Sequence, residues 1–184
     1  MERQAETPAA AKRADARSRL DRMGQEEGTD TARVYELDGE RKRGHDYLRH
    51  YEQLLGGMSF EPAIILDLGV GVGPSQNEYA SARMWRRFYP DARVVAVDIR
   101  EPEAETPDGV ELIRGDLGNP RFLVRLTREL RPDLVVEDGS HMWAHQYLSL
   151  FYLLPATRPG GVFIWEVLQV SRPDLRERYG RGLS

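Results

Sequence analysis

The sequence predicts an α/β fold: a doubly wound, mostly parallel sheet with helices on both faces. Three observations predict it. Short apolar runs alternate with amphipathic stretches over residues 45–168. The first apolar run leads straight into "DLGVGVG", an acid followed by glycines on alternate positions. Later runs deliver Asp98, Asp116, Glu137–Asp138 and Glu166 at their carboxyl ends, where such sheets place their sites.

Each element has its own signal. "HDYLRHYEQLLGGM" (45–58) repeats Leu48, Tyr51, Leu54 and Leu55 at helical spacing and stops at a glycine pair. "AIILDL" (63–68) reads as a buried strand. "EYASARMWRRFY" (78–89) is a helix with Tyr79, Ala82 and Trp85 inward. "ARVVAVDI" (92–99) and "VELIRG" (110–115) are strands. "PRFLVRLTREL" (120–130) is a helix, with Asn119 as N-cap and Pro120 in the first turn. "DLVVED" (133–138) is a strand, "WAHQYLSLFYLL" (143–154) a helix ended by Pro155, and "GGVFIWEVL" (160–168) the fifth strand. Strands this short and apolar, separated by helices, are buried on both faces. Right-handed crossovers then follow.

Composition bounds the function. A chain of 184 residues with 40% hydrophobic and 30% charged content fits one globular domain. Net charge is −4, which gives no electrostatic footprint for nucleic acid or an anionic membrane. The absence of cysteine excludes disulfides, thiolate metal sites and cysteine nucleophiles. No apolar run has membrane-spanning length and the N-terminus lacks an apolar signal core, so a cytoplasmic protein is expected. Residues 1–32 are polar and mixed in charge, and are expected to form a flexible or marginally helical arm. The single domain then occupies 33–184.

Gly69, Gly71 and Gly73 let backbone approach a ligand closely, although a tight strand-to-helix turn would also use them. Asp98, ending the second strand, is placed to accept both hydroxyls of a ribose. Asp67, two residues before Gly69, would oppose a pyrophosphate and suits a ligand bearing an amine or other cation. A nicotinamide-dependent oxidoreductase shares the sheet and the glycines, but no Tyr-x-x-x-Lys pair is evident. The D-x-G-x-G-x-G pattern resembles the first motif of the class I S-adenosylmethionine-dependent methyltransferases, which have a Rossmann-like fold. That resemblance implies Asp67 near the amino-acid moiety of the cofactor, Asp98 at its ribose, Asp116 at its adenine and Leu117 against the ring.

"VVEDGSHMWAHQ" places Asp138 and His141 beyond the fourth strand, and the fifth strand brings Glu166 to the same edge. Two carboxylates beside a histidine suit Mg2+ or Mn2+, with His141 removing a proton from a substrate hydroxyl. A hydrogen-bonded Asp138–His141 pair that merely ties down a loop is the competing reading. His145, four residues on, is expected to pack or to support the site rather than to bind zinc.

Over residues 45–171 the chain is similar to the metal-dependent sugar O-methyltransferases of macrolide biosynthesis. The segments that carry the likeness are "HDYLRHYE", "ILDLGVGVGPS", "MWRRFYPDARVVAVDI", "GDLGN", "PDLVVEDGSHMWAHQ" and "LPATRPGGVFIWE". The likeness implies a natural-product sugar or other small hydroxylated acceptor, S-adenosylmethionine and Mg2+ as cofactors, Asp138 and Glu166 as metal ligands, and His141 as general base. It also implies that Tyr47 and Tyr51 help close the pocket. The sequence departs from the pattern in three places. Val167 stands where a second acid is usual, "QNEYAS" adds length that would reshape the methionine end of the pocket, and the usual C-terminal strand pair has no counterpart. A homo-oligomer or partner subunit is therefore expected to cover the open edge. A catalytically repurposed or non-catalytic S-adenosylmethionine-binding homologue is the alternative reading.

Overall fold

The computed structural model describes residues 18–71, 77–168 and 174. In chain order the elements are α1 (Arg19–Glu27), β1 (Val34–Leu37), β2 (Glu40–Arg43), α2 (Leu48–Leu55), β3 (Ile64–Leu68), α3 (Ala80–Phe88), β4 (Arg93–Asp98), β5 (Val110–Arg114), α4 (Pro120–Glu129), β6 (Leu134–Glu137), α5 (Trp143–Leu153) and β7 (Val162–Trp165).

The main sheet runs β5-β4-β3-β6-β7, and every neighbouring pair in it is parallel. The expected doubly wound sheet is therefore present. Alternation along the central strands splits the core in two. Ile65, Val94, Ala96, Leu134 and Val136 join Leu20, Leu48 and Trp85 beneath α1, α2 and α3. Leu66, Val95, Val97 and Val135 join Leu123, Leu126 and Leu153 beneath α4 and α5. A side-chain period of two on buried strands forces this division. Asn119 caps α4 as expected, its side chain accepting from the Arg121 N–H, and Pro120 opens the helix.

The N-terminal boundary differs from expectation. Residues 18–32, assigned to an arm by their polarity, pack into the core. Ser18 caps α1 by accepting from the Asp21 N–H, and Gly28 ends it with φ 78. Leu20 and Ala32 are fully buried. Backbone bonds from Gly44, His45, Asp46 and Tyr47 to the carbonyls of Arg33, Asp30, Ala32 and Thr31 then zip this segment to the residues entering α2. The antiparallel hairpin β1–β2 was not evident from composition, because its strands are short and its second reads "ERKR". The expectation about a C-terminal strand pair falls on residues 169–184, outside the described residues apart from Asp174.

The strand order reverses between β3 and β6, so a crevice opens beyond their carboxyl ends. Leu68 pairs with Glu137, and Glu137 with Trp165. The next row therefore sets Gly69, Asp138 and Glu166 side by side.

Candidate functional site

Gly69 has φ 92, and a Cβ there would run into the Asp138 carbonyl. Its bareness thus serves the close approach of the β3 and β6 ends as much as any ligand. Gly69 and Gly71 line an open cavity of about 270 Å3, together with Asp98, Asp116, Leu117, Asp138 and His141. Seven of the residues singled out from sequence thereby share one wall. Gly73 lies outside the described residues.

The Asp98 carboxylate, at the end of β4, accepts from the N–H groups of Val70 (3.2 Å) and Arg100 (3.0 Å). These two bonds fix it at the lip of the cavity. Asp116 caps its own turn, accepting from the Gly118 N–H at 2.8 Å. It therefore does what a turn aspartate does and also faces the cavity. His145 shares a 2.9 Å bond between its Nδ1 and the Ser140 hydroxyl, and also lines the cavity.

Four candidates sit elsewhere: Asp67, Tyr51, Glu166 and Tyr47. Asp67 is 1% exposed, accepts from the Ser81 hydroxyl at 2.7 Å, and does not line the large cavity. The resemblance implies Asp67 near the amino-acid moiety of the cofactor; its carboxylate faces inward from β3 onto Ser81, so any influence on a ligand in the large cavity is indirect. Asp67, Tyr51 and Glu166 instead surround a small internal space with Asp138, Thr31 and Ser81. That space holds about 10 Å3, roughly the room one water needs. Tyr47 lines neither space; it stacks on His45 at 5.3 Å and stands 6.2 Å from Tyr51.

The electrostatics of this floor are strongly acidic. Burial pushes Asp67 up to about 7, against the lowering effect of its Ser81 bond. Burial likewise raises Glu137 to about 7. Asp138 is raised well above the usual carboxylate range by burial, then by Glu166, Asp30 and other acids. Glu166 is raised by burial and neighbouring acids, although the Tyr51 hydroxyl donates to it and partly offsets the rise. The Tyr51 phenol is pushed upward in turn, by burial first and by Glu166 next.

His141 has φ 58, an uncommon backbone state for a residue with a side chain. Its Nε2 stands 3.8 Å from Asp138 Oδ1. That is an ion-pair distance once the imidazole is protonated, so the carboxylate can stabilise a proton held there. Val167, after Glu166, also has positive φ at 51. Among the described residues no group of three or more such side chains is close enough to share a metal ion. Asp138 and Glu166 border the same small internal space, and Mg2+ commonly takes one or two carboxylates, completing its shell with water and substrate.

Sequence reasoning missed one whole wall of the cavity. Gly28, Thr29, Asp30 and Thr31 come from the supposed arm, Tyr35 from β1, and Asn77 from the stretch after the glycine loop. Asn77 Nδ2 donates to the carbonyls of Gly28 (2.8 Å) and Glu36 (2.7 Å). Glu27 bonds Arg83 (2.9 Å) and Arg87 (2.6 Å), fastening the end of α1 to α3. The available signal was "EEGTD", a helix-stop glycine followed by small polar residues.

A parallel sheet of this order, with its site across the strand tips, has the class I S-adenosylmethionine-dependent methyltransferase fold. No protein-family model matches the chain. It is 33% identical over 125 residues to the mycinamicin VI 2''-O-methyltransferase of Micromonospora griseorubida, covering 66% of this chain and 31% of that protein. It is 30% identical over 127 residues to the demethylmacrocin O-methyltransferase of Streptomyces fradiae, covering 67% and 32% respectively. Among solved structures, the MycE methyltransferase of the mycinamycin pathway, in complex with Mg, SAH and mycinamycin VI, matches with TM-score 0.70 at 26% identity. That match covers 85% of this chain and 42% of the other. The protein is thus related to the sugar O-methyltransferases of macrolide biosynthesis, and spans about a third of the length of the curated relatives it matches.

Proposed function

We propose that this protein is an S-adenosylmethionine-dependent O-methyltransferase acting on a hydroxyl of a sugar or another natural product. One observation carries the reading. A single cavity is lined by one set, Asp98, Asp116 and Leu117, and by a second, Asp138 and His141. The first set suits a nucleoside: Asp98 for the ribose hydroxyls, Asp116 and Leu117 for the base. The second suits proton removal from an acceptor hydroxyl, with His141 as base and Asp138 stabilising the protonated ring. S-adenosylmethionine supplies an electrophilic methyl when bound. Asp138 and Glu166 would hold Mg2+ or Mn2+, which supplies Lewis-acid polarisation of the acceptor oxygen.

The relatives support this reading by their names, which specify O-methyl transfer to mycinamicin VI and to demethylmacrocin, and by a structural match bound to Mg and SAH. Tyr51 supports it by holding the Glu166 carboxylate. A homo-oligomer or partner subunit that completes the acceptor site belongs to the same proposal, as does a cytoplasmic location. Among the described residues no helix is long and apolar enough to cross a membrane.

The test is transfer of a labelled methyl group from S-adenosylmethionine to a panel of glycosylated macrolactones, with and without EDTA. Mass spectrometry of the freshly purified protein would look for carried-over cofactor. Label in the sugar, lost with EDTA, supports the reading. Cofactor binding with no transfer to any acceptor, with or without Mg2+, favours the repurposed homologue suggested by Val167.

A further inference from the structure

We propose that Asp30, in the turn between α1 and β1, receives the positively charged α-amino group of the cofactor. This rests on the S-adenosylmethionine reading above and deepens it. With the nucleoside at Asp98, Asp116 and Leu117, the cavity still offers Gly69, Gly71 and Gly28–Thr31 to the amino-acid tail. An ammonium needs an anionic acceptor there.

The sequence offered Asp67, but its carboxylate is 1% exposed and turned to Ser81. Two acids line the cavity beyond the glycine turn, Asp138 and Asp30. Asp138 already faces His141 at 3.8 Å. Asp30 has its side chain 32% exposed and the His45 Nε2 at 3.9 Å, a contact like that of Asp138 with His141; it differs in being uncommitted to the base and the metal, which the function proposed above gives to Asp138. The cavity's arginine, Arg100, follows Asp98 and Ile99, and its N–H donates to the Asp98 carboxylate.

Asp30 is held rather than loosely offered. Its carbonyl accepts from the His45 N–H at 2.7 Å, and the Thr31 carbonyl from the Tyr47 N–H at 3.0 Å. Asn77 fixes Gly28 just before it. A backbone fixed in advance leaves only the side-chain torsions of Asp30 to be ordered when its carboxylate binds a cation.

The experiment is calorimetry on the full chain with two ligands, S-adenosylhomocysteine and 5′-methylthioadenosine. Both carry the nucleoside and the thioether sulfur; only the first carries the amino-acid tail. In Asp30→Asn the Kd for S-adenosylhomocysteine should rise about tenfold or more, and that for methylthioadenosine should stay within about twofold. Asp30→Ser, with melting curves for both variants, guards against a folding defect in one of them. Equal weakening of both ligands, or unchanged S-adenosylhomocysteine affinity, overturns the assignment of Asp30 alone. Failure of the unsubstituted protein to bind either ligand overturns the cofactor reading itself, and this assignment with it.

Discussion

His141 Nε2 stands 3.8 Å from Asp138 Oδ1, and the two side chains are about equally exposed, at 27% and 28%. They form a unit at the mouth of the β6 turn, open to an acceptor yet set over an acidic floor. His141→Ala is expected to leave S-adenosylhomocysteine affinity within about twofold and to lower kcat by roughly 10²–10⁴-fold. Calorimetry and single-turnover assays on the same preparation check this. Retained turnover in that variant would remove His141 from the chemistry and leave it as a loop tie.

Asp67 makes stability depend on pH in a defined direction. Its folded value, about 7, lies above the ordinary 3.8. The native state therefore binds the extra proton between those values, and stability falls as pH rises through that window, levelling off above 7. Asp67→Asn keeps the shape and cannot ionise. It should therefore gain on the parent with rising pH, by on the order of 4 kcal/mol at most near pH 8. Melting temperatures from pH 4 to 8 test it. Glu137, Asp138 and Glu166 tilt both proteins the same way, so only the difference between the curves counts. Parallel curves would show that Asp67 is not the group responsible.

Asn77 joins two walls of the cavity through its bonds to Gly28 and Glu36. Asn77→Ala removes both donors and should cost about 1–2 kcal/mol of stability. The loss should be local. Amides of residues 28–36 are expected to exchange faster by hydrogen–deuterium mass spectrometry, with β3 and β4 unchanged. Uniform acceleration across the sheet would mean that Asn77 supports the whole fold.

The main sheet was legible because its strands are buried on both faces. Apolar runs such as "ILDL" and "RVVAVD" can be little else when helices of regular period separate them. The hairpin β1–β2 and helix α1 were not legible. Their apolar residues are few, and what orders them is contact with distant partners: Leu20 in the core, Glu27 on Arg83 and Arg87, and Gly28 under Asn77. Polar composition predicts disorder only when no such partners exist.

The chain of residues alone determined the strand order class, the acids delivered to the strand tips, and the pairing of Asp138 with His141 three positions later. These follow from local periodicity and from short spacing, which survive any detail of packing. Tertiary structure alone decided which acids face the cavity. A strand period of two turned Asp67 inward onto Ser81, parallel register brought Glu166 level with Asp138, and the folded-back α1–β1 turn put Asp30 on the cavity lining. The physical reason is that orientation depends on register and on long-range backbone bonds, which no local pattern of residues specifies.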